Sequence, residues 1–484
     1  MSIGRLERIN SLILWVCLLF CFQMKINATH LMGGEVVVTQ VGLKNYQVDM
    51  VLYRDQQGIS MSTSQKYHLF RENGTKVGVF DFDYVSQPSG SQVPNFPYGV
   101  EPYYYKDVID LSAEDEGKFF VVFDHCCRNE AILNLSSPLN ESMYLKTEFT
   151  IFDNQHNSTP KFLAMPIAYL AVNHPWQYNP VPYDSDGDSL FWYIDAVESA
   201  TMDPPNLFSN QGFGWQFPFA SPINPFSINP NTGVISWTAN TLGNFVASVI
   251  VEEYRAGKKI GTIRRDMQFV VVPKNGNDVP SVSIVDLSKP DQGTSGNPLP
   301  IMPHGSYEIS VEAGSPISLQ ISGEDVNNQG EPLQLECMSG LMDFNAHFNV
   351  INTTENIVTA KFDWTPDSSF IGENYILNFR INDGTWSLDK TVLVKVVEKV
   401  ETENFKLEVF PNPTKGSFMY RLDQGHANFD RIEIFNLLGN LVYAESLEIE
   451  EGINQFHLSA SPGAYFIKLS GKKHSVTQKL SVIE

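Results

Sequence analysis

Short runs of alternating apolar and polar residues, bounded by turn residues, recur along most of this 484-residue chain. A period of two is typical of a β-strand with one face in a core and the other in solvent. Clear examples are Tyr46–Tyr53, Lys118–Phe123 and Met143–Phe152. No stretch of 12 residues carries the apolar spacing of a helix, whereas 33 glycines and 28 prolines supply turns. The chain is therefore predicted to be all-β.

Length and internal repetition predict several domains, since one domain typically has ~100–150 residues. One block holds Phe226–Ile228, Ile235–Thr238 and Gly243–Val251, and a later block repeats the order with Phe348–Val350, Phe362–Pro366 and Gly372–Ile381. This repetition predicts tandem β-sandwiches of the immunoglobulin- or cadherin-like kind, with Trp237 and Trp364 in their cores.

The predicted divisions follow from these blocks and from turn-rich linkers at Pro273–Pro280 and Glu398–Asn404. They are a leader at 1–28, an N-terminal β-domain at 29–167, sandwiches at 168–275 and 276–400, and a C-terminal β-sandwich at 405–484.

The first 28 residues have the pattern of a signal peptide. Arg5 and Arg8 precede the apolar run Leu12–Phe22, and Ala28 offers a small residue for cleavage before Thr29. As a helix this run is only ~16 Å long against a hydrocarbon core of ~30 Å. The leader therefore predicts export of the chain and not a permanent membrane span.

The formal net charge of −22 disfavours nucleic acid as a partner, because phosphate binding needs a basic surface. The excess acid lies in the middle of the chain, since residues 405–484 hold 8 basic and 9 acidic residues. Two interpretations remain open for this charge, namely solubility and the binding of divalent cations.

Asp184, Asp186 and Asp188 stand around Gly187. Clustered carboxylates in a tight turn suit Ca²⁺, which prefers oxygen ligands, so calcium is a possible cofactor. The alternative is an Asp/Gly turn whose side chains accept local backbone N–H groups. The later block offers Glu324, Asp325, Asn327 and Glu331 at the corresponding place, a set with less charge.

Three cysteines, Cys126, Cys127 and Cys337, follow the leader and are too few for a disulfide scaffold. Cys126 and Cys127 are predicted to be structural, either as a bridge between neighbours or with a free buried thiol. A metal site with His125 would lack a fourth ligand at a suitable spacing.

Aromatic side chains at Tyr103–Tyr105, Trp176 and Tyr178 fit either a carbohydrate-stacking surface or a core. The sequence has no zinc-protease His-Glu-x-x-His, no Gly-x-Ser-x-Gly elbow and no phosphate-binding loop. We therefore expect a protein that is not an enzyme. The alternative is a secreted hydrolase of glycans or proteins without a recognisable motif.

Residues 29–272 resemble an ectodomain of Bacteroidota surface proteins that occurs beside gliding-motility-associated and PKD-domain proteins. The resemblance rests on Thr29–Glu35, Leu52–Asp55, Asp124–Asn129, Asp184–Leu190, Asn231–Ile235 and Glu252–Asp266. Relatives place a cysteine after Tyr-Arg-Asp, where this chain has Gln56, so the resemblance leaves the partner of Cys126 or Cys127 open.

The last 80 residues resemble the type A sorting domain of the type IX secretion system. The matching residues are Pro411, Asn412, Pro413, Gly416, Gly439, Gly463, Tyr465 and Lys479. The resemblance implies that the tail is recognised by the type IX machinery and removed by a sortase-like peptidase, with release or attachment to surface lipopolysaccharide. We expect a secreted or outer-surface protein of adhesive or structural function, whose protein or glycan ligand is not specified by the sequence.

Overall fold

The structure is a computed structural model that describes residues 31–55, 60–85, 100–166, 169–201, 205–217, 224–288, 297–302, 305–328, 332–399, 405–423, 429–446, 452–471 and 474–484. The predicted signal peptide, Gln56, Glu331 and residues 400–404 of the second linker lie outside these ranges. The described residues form β-strands and short 3-10 helices at Pro138–Asn140, Gly340–Phe344 and Ser368–Phe370. The all-β prediction is confirmed.

The chain divides into two compact units between Lys399 and Val400. We call residues 31–399 the body and residues 405–484 the tail. Among the described residues, none of the helices has the length and apolar character needed to cross a membrane.

The body begins with seven strands that share one apolar core. They are β1 (Leu31–Gly42), β2 (Asn45–Asp55), β3 (Ser64–Arg71), β4 (Lys76–Val85), β5 (Val100–Asp110), β6 (Gly117–Cys126) and β7 (Ser142–Ile151). Their order in the sheet is β1-β2-β5-β4-β3-β6-β7. Along β2 the residues alternate between buried and part-exposed, and Tyr46, Val48, Met50 and Leu52 face the core.

A β-sandwich follows. Its strands are β8 (Lys161–Phe162), β9 (Tyr169–Ala171), β10 (Trp176–Tyr178), β11 (Pro182–Tyr183), β12 (Ser189–Asp195), β13 (Glu198–Ala200), β14 (Ser209–Gln211), β15 (Ser227–Ile228), β16 (Ile235–Trp237), β17 (Gly243–Arg255) and β18 (Lys258–Val272). Strands β9, β18, β17 and β12 form one sheet, and β10, β16 and β15 form the other. Trp237 and Phe269 pack in the core between them.

The structure differs from the predicted division at residue 167, because one sheet runs through both blocks. Strand β18 pairs with β17 and also with β1, where Gly33 lies opposite Met267, and with β7, where Thr262 lies opposite Glu148. Nearly all of β18 is buried, so it lacks the alternation that marks a strand with one solvent face.

The second sandwich repeats the plan of the first. Its strands are β19 (Ser281–Asp286), β20 (Asn297–Pro298), β21 (Tyr307–Glu312), β22 (Ile317–Glu324), β23 (Gln334–Met338), β24 (His347–Thr353), β25 (Ile357–Trp364), β26 (Asn374–Asn382) and β27 (Ser387–Val397). The sheets are β20-β19-β22-β25-β24 and β21-β27-β26-β23. As β9 does with β18, β21 runs parallel to the last strand. This arrangement of two sheets is immunoglobulin-like, and the predicted tandem sandwiches are confirmed.

The tail is a smaller sandwich with its own core. Its strands are β28 (Leu407–Phe410), β29 (Ser417–Leu422), β30 (Arg431–Asn436), β31 (Leu441–Ser446), β32 (Ile453–His457), β33 (Gly463–Ser470) and β34 (Ser475–Val482). The sheets are β28-β29-β32 and β31-β30-β33-β34. Phe418, Ile434, Ile467 and Leu480 are among the residues buried between them.

Candidate functional site

The three predicted calcium ligands lie together in the turn between β11 and β12. Side-chain oxygens of Asp184, Asp186 and Asp188 lie within 4.8 Å of one another. Oδ1 of Asp184 accepts the backbone N–H groups of Asp186 at 2.9 Å and Asp188 at 3.0 Å. Gly187 has a φ of +82°, a left-handed conformation that favours glycine. The Asp/Gly turn and the carboxylate cluster are therefore one structure.

Two of these carboxylates already have partners. Asp186 accepts the backbone N–H of Ser158 at 2.6 Å and lies 2.8 Å from Nδ1 of His156. Asp188 forms a two-point ion pair with Arg255, whose Nε lies 2.8 Å from Oδ1. Asp184 differs, because its buried Oδ2 has no hydrogen-bond partner in the part of the chain that the structure describes. Burial, together with the nearby charges of Asp188 and Asp186, raises the pKa of Asp184 to about 6.

The structure adds Glu253, which sequence reasoning did not select as a ligand. The side chain lies in β17 and is fully buried. Neither of its carboxylate oxygens has a hydrogen-bond donor among the described residues. Burial first, then the charges of Asp184 and Asp188, raise the pKa of Glu253 well above its ordinary value. Four carboxylates therefore lie in this region, and Arg255 is paired with one of them, Asp188.

One sequence signal could have identified Glu253. In β17 the inward positions are occupied by Phe245, Ala247, Val249 and Val251, which alternate with residues on the other face. Glu253 continues this inward series, whereas Glu252 points away and bonds Tyr254 and Lys259. A charged residue in a series of core positions is expensive unless it has a partner.

The corresponding acids of the second sandwich are arranged differently from the predicted set. Glu324 is exposed at the end of β22, whereas Asp325 is buried and its Oδ2 has no hydrogen-bond partner among the residues described. Oδ1 of Asp325 accepts the backbone N–H of Asn327 at 3.1 Å. Asn327 in turn bonds the backbone of Gly276 and Asp278, so its amide holds the linker in place.

Cys126 and Cys127, at the end of β6, form a disulfide with each other. Cys337 is a free thiol in β23, and burial raises its pKa. Trp176 and Tyr178, which the sequence also allowed in a carbohydrate-stacking surface, are buried in the core of the first sandwich, where their rings stack on each other.

In the tail, the Pro411-Asn412-Pro413 segment is fastened to the last strand. The side chain of Asn412 donates to the carbonyl of Lys479 at 2.7 Å and accepts the N–H of Ser481 at 2.9 Å. Close by, Thr414 and Ser481 share a backbone hydrogen bond of 2.9 Å. The first and last blocks of the tail motif therefore meet in space.

The remaining motif residues of the tail shape turns and strand ends. Gly416 lies next to Leu458, whose N–H donates to the Gly416 carbonyl at 2.7 Å. Gly439 ends the turn between β30 and β31, where its N–H donates to Asn436 at 3.0 Å. Gly463 begins β33 opposite Val482, and the hydroxyl of Tyr465 donates to Ser461 at 2.8 Å.

Comparison with protein families identifies this tail. Residues 408–483 match the family described as "Secretion system C-terminal sorting domain". The match lies wholly within the tail and includes Pro411, Asn412 and Lys479. The chain is therefore an exported, modular β-protein that carries a type IX sorting domain, which directs it to the cell surface or to secretion through the type IX machinery.

No curated protein sequence matches the chain. Among solved structures, it is similar to dimeric latent PorU from Porphyromonas gingivalis, with 12% identity, a TM-score of 0.16, and coverage of 67% of this chain and 32% of PorU. It is also similar to the N-terminal four Ig domains of Dscam1 isoform 6.44, with 9% identity, a TM-score of 0.18, and coverage of 94% of this chain and 99% of the Dscam1 chain. For the ICAM-5 D1–D4 ectodomain fragment the identity is 11% and the TM-score 0.20, with coverage of 91% of this chain and 96% of the ICAM-5 chain. Since these TM-scores are low, the fold assignment rests on the sheet topology alone.

Proposed function

We propose that the body is a non-catalytic surface module of adhesive or structural function, and that it binds a protein or a glycan through its loops. The observation that carries this proposal is the way its blocks are joined. Arg265 of β18 forms a two-point ion pair with Glu35 of β1, and Arg380 of β26 pairs with Asp389 while donating to the carbonyl of Met165. Joints of this kind hold the loops of successive blocks in fixed positions, as a binding scaffold requires.

Exposed aromatic residues support a binding role. Phe208, Phe213 and Phe217 lie on either side of β14, and each is more than half exposed. Exposed aromatic side chains are enriched at contacts between proteins. The resemblance of residues 29–272 to surface proteins beside gliding-motility-associated and PKD-domain proteins agrees with this assignment.

The test is a parallel screen of the secreted protein for binding and for turnover, with arrayed glycans and surface-protein extracts. We expect retention of a ligand whose mass is unchanged, and weaker retention by the Phe208→Ser/Phe213→Ser variant. Hydrolysis of a glycan or protein by the purified chain, without stable binding, would establish the hydrolase alternative and overturn the proposal.

For the tail we propose processing after export, by a sortase-like peptidase that cuts the linker before residue 405, with release of the body or its attachment to lipopolysaccharide. Intact-mass measurement of the extracellular protein tests this step. A body that lacks residues 405–484 is expected, whereas a mature protein that retains the whole tail would contradict the proposal.

A further inference from the structure

The acidic turn before β12 does not by itself define a metal site, because Asp186 and Asp188 have protein partners. The unpartnered oxygens are those of Glu253 and the Oδ2 of Asp184. A buried carboxylate without a donor is costly, and several together repel each other. These atoms therefore call for a positively charged partner that the described residues do not supply.

Strand register brings Glu253 to the cluster. In the β12–β17 pair, Leu190 lies opposite Glu253 and Ser189 lies opposite Tyr254. The next position pairs Asp188 with Arg255, as their ion pair shows. Because side chains two residues apart on a strand share a face, Glu253 lies diagonally across from Asp188. The charges of Asp184 and Asp188 both act on Glu253, so carboxylate acceptors lie near one another here.

Space for the Glu253 carboxylate is provided by Gly261, which lies opposite it in β18. A Cβ atom at residue 261 would stand 2.3 Å from Oε2 of Glu253. Glycine at this position therefore keeps the buried carboxylate in its place beside the acidic turn.

We propose that this pocket binds one Ca²⁺ ion between Glu253 and Asp184, with Asp188 at its edge. The three buried oxygens are Oε1 and Oε2 of Glu253 and Oδ2 of Asp184. A single proton could join only two of them and would leave the third without a partner. A divalent cation between Glu253 and Asp184 would balance the charge of both carboxylates, which Arg255 does not do because it is already paired with Asp188. The donors are all oxygens, as Ca²⁺ prefers, and extracellular modules bind calcium with a Kd of about 10⁻⁴–10⁻³ M.

The ion would also fasten the joint between the first seven strands and the first sandwich. Arg255, which holds Asp188, donates as well to the carbonyl of His156 and to Oδ1 of Asn157 in the segment after β7. Because the site lies at this joint, bound calcium should stabilise both parts and raise the melting temperature of the body.

The experiment is calorimetric titration of the full secreted chain with CaCl₂ after treatment with chelator, together with thermal melts. Glu253→Gln and Asp184→Asn should each lose one calcium site per chain, or weaken it at least tenfold, and should lose its effect on the melting temperature. Glu252→Gln is the matched control on the same strand, because Glu252 faces away and bonds Lys259. Its calcium affinity should stay within twofold of the original.

A further measurement separates ligation from simple packing. In chelator, Glu253→Gln should melt at or above the temperature of the original chain, since the substitution removes a buried negative charge. Calcium binding by Glu253→Gln equal to that of the original chain would overturn the proposal, as would the absence of calcium binding by the folded original at 5 mM, a concentration well above the Kd range for such modules.

Discussion

The body and the tail are both β-sandwich structures, yet they place their charges differently. In the body, Arg265 and Glu35 are 1% and 8% exposed as side chains, and Arg128 and Asp266 are 2% and 0% exposed. In the tail, Arg421 and Glu408 are 50% and 34% exposed. The body thus uses desolvated ion pairs to fix the joints between its blocks, whereas the described strands of the tail are held by an apolar core.

This difference separates two structural roles of charge within one chain. A buried ion pair contributes little net stability but is costly to break, so it favours one arrangement of neighbouring sheets. A surface ion pair contributes about 0–1 kcal/mol and is easily lost. A rigid body suits a scaffold for binding, and a simple self-contained tail suits an address that is recognised by itself.

The largest expected effect comes from breaking a joint of the body. Arg265→Met leaves Glu35 buried without a counter-charge and should lower the free energy of unfolding by about 3–5 kcal/mol. Replacing both partners, in Glu35→Leu/Arg265→Met, should restore much of this loss. Every tryptophan beyond the leader lies between residues 176 and 386, so tryptophan fluorescence in urea reports on the body.

Arg421→Met is the control in the tail, and it should leave the tryptophan transition of the body unchanged. If Arg265→Met and Arg421→Met had equal effects on that transition, the contrast between the two regions would be wrong.

A smaller effect is expected from the disulfide of the body. Replacing Cys126 and Cys127 by alanine should lower the free energy of unfolding by about 1–3 kcal/mol, because the substitution removes the disulfide. The amount of protein secreted should not change, because the tail is intact. Loss of ligand binding by the variant while it remains folded would show that the cysteines take part in function.

The smallest effect concerns pH. Burial lowers the pKa of His125, and burial with Lys76 and Lys66 lowers that of His68. Since the unfolded chain binds these protons more readily, the two histidines should lower the stability of the body as the pH falls below about 6.5, whereas the raised pKa of Asp184 acts in the opposite direction. Urea unfolding of the original chain and of His68→Gln and His125→Gln, at pH 7.5 and pH 5.5, isolates the contribution of each histidine to the change in the free energy of unfolding. If both variants kept the pH dependence of the original chain, the histidines would not be its cause.

Local features of the fold were accessible from the sequence, and long-range ones were not. Alternation identified the strands, and the repeated order around Trp237 and Trp364 revealed the two sandwiches. The pairing of β18 with strands of both blocks was not predicted, because a strand that is buried on both faces carries no alternation to mark its partners. The Asp184 turn was visible because its acids are neighbours in sequence, whereas Glu253 reaches the cluster only through strand pairing.

The tail is expected to act as a self-contained export address for the body. The most direct measurement is cell fractionation of a chain that lacks residues 475–484, with an antibody against residues 29–400. The deletion removes β34, including buried Leu480 and Val482 and the backbone groups that hold Asn412. We predict a folded body retained in the periplasm, while the full chain carrying Arg421→Met is exported normally. A truncated chain that reaches the cell surface in normal amounts would contradict the account.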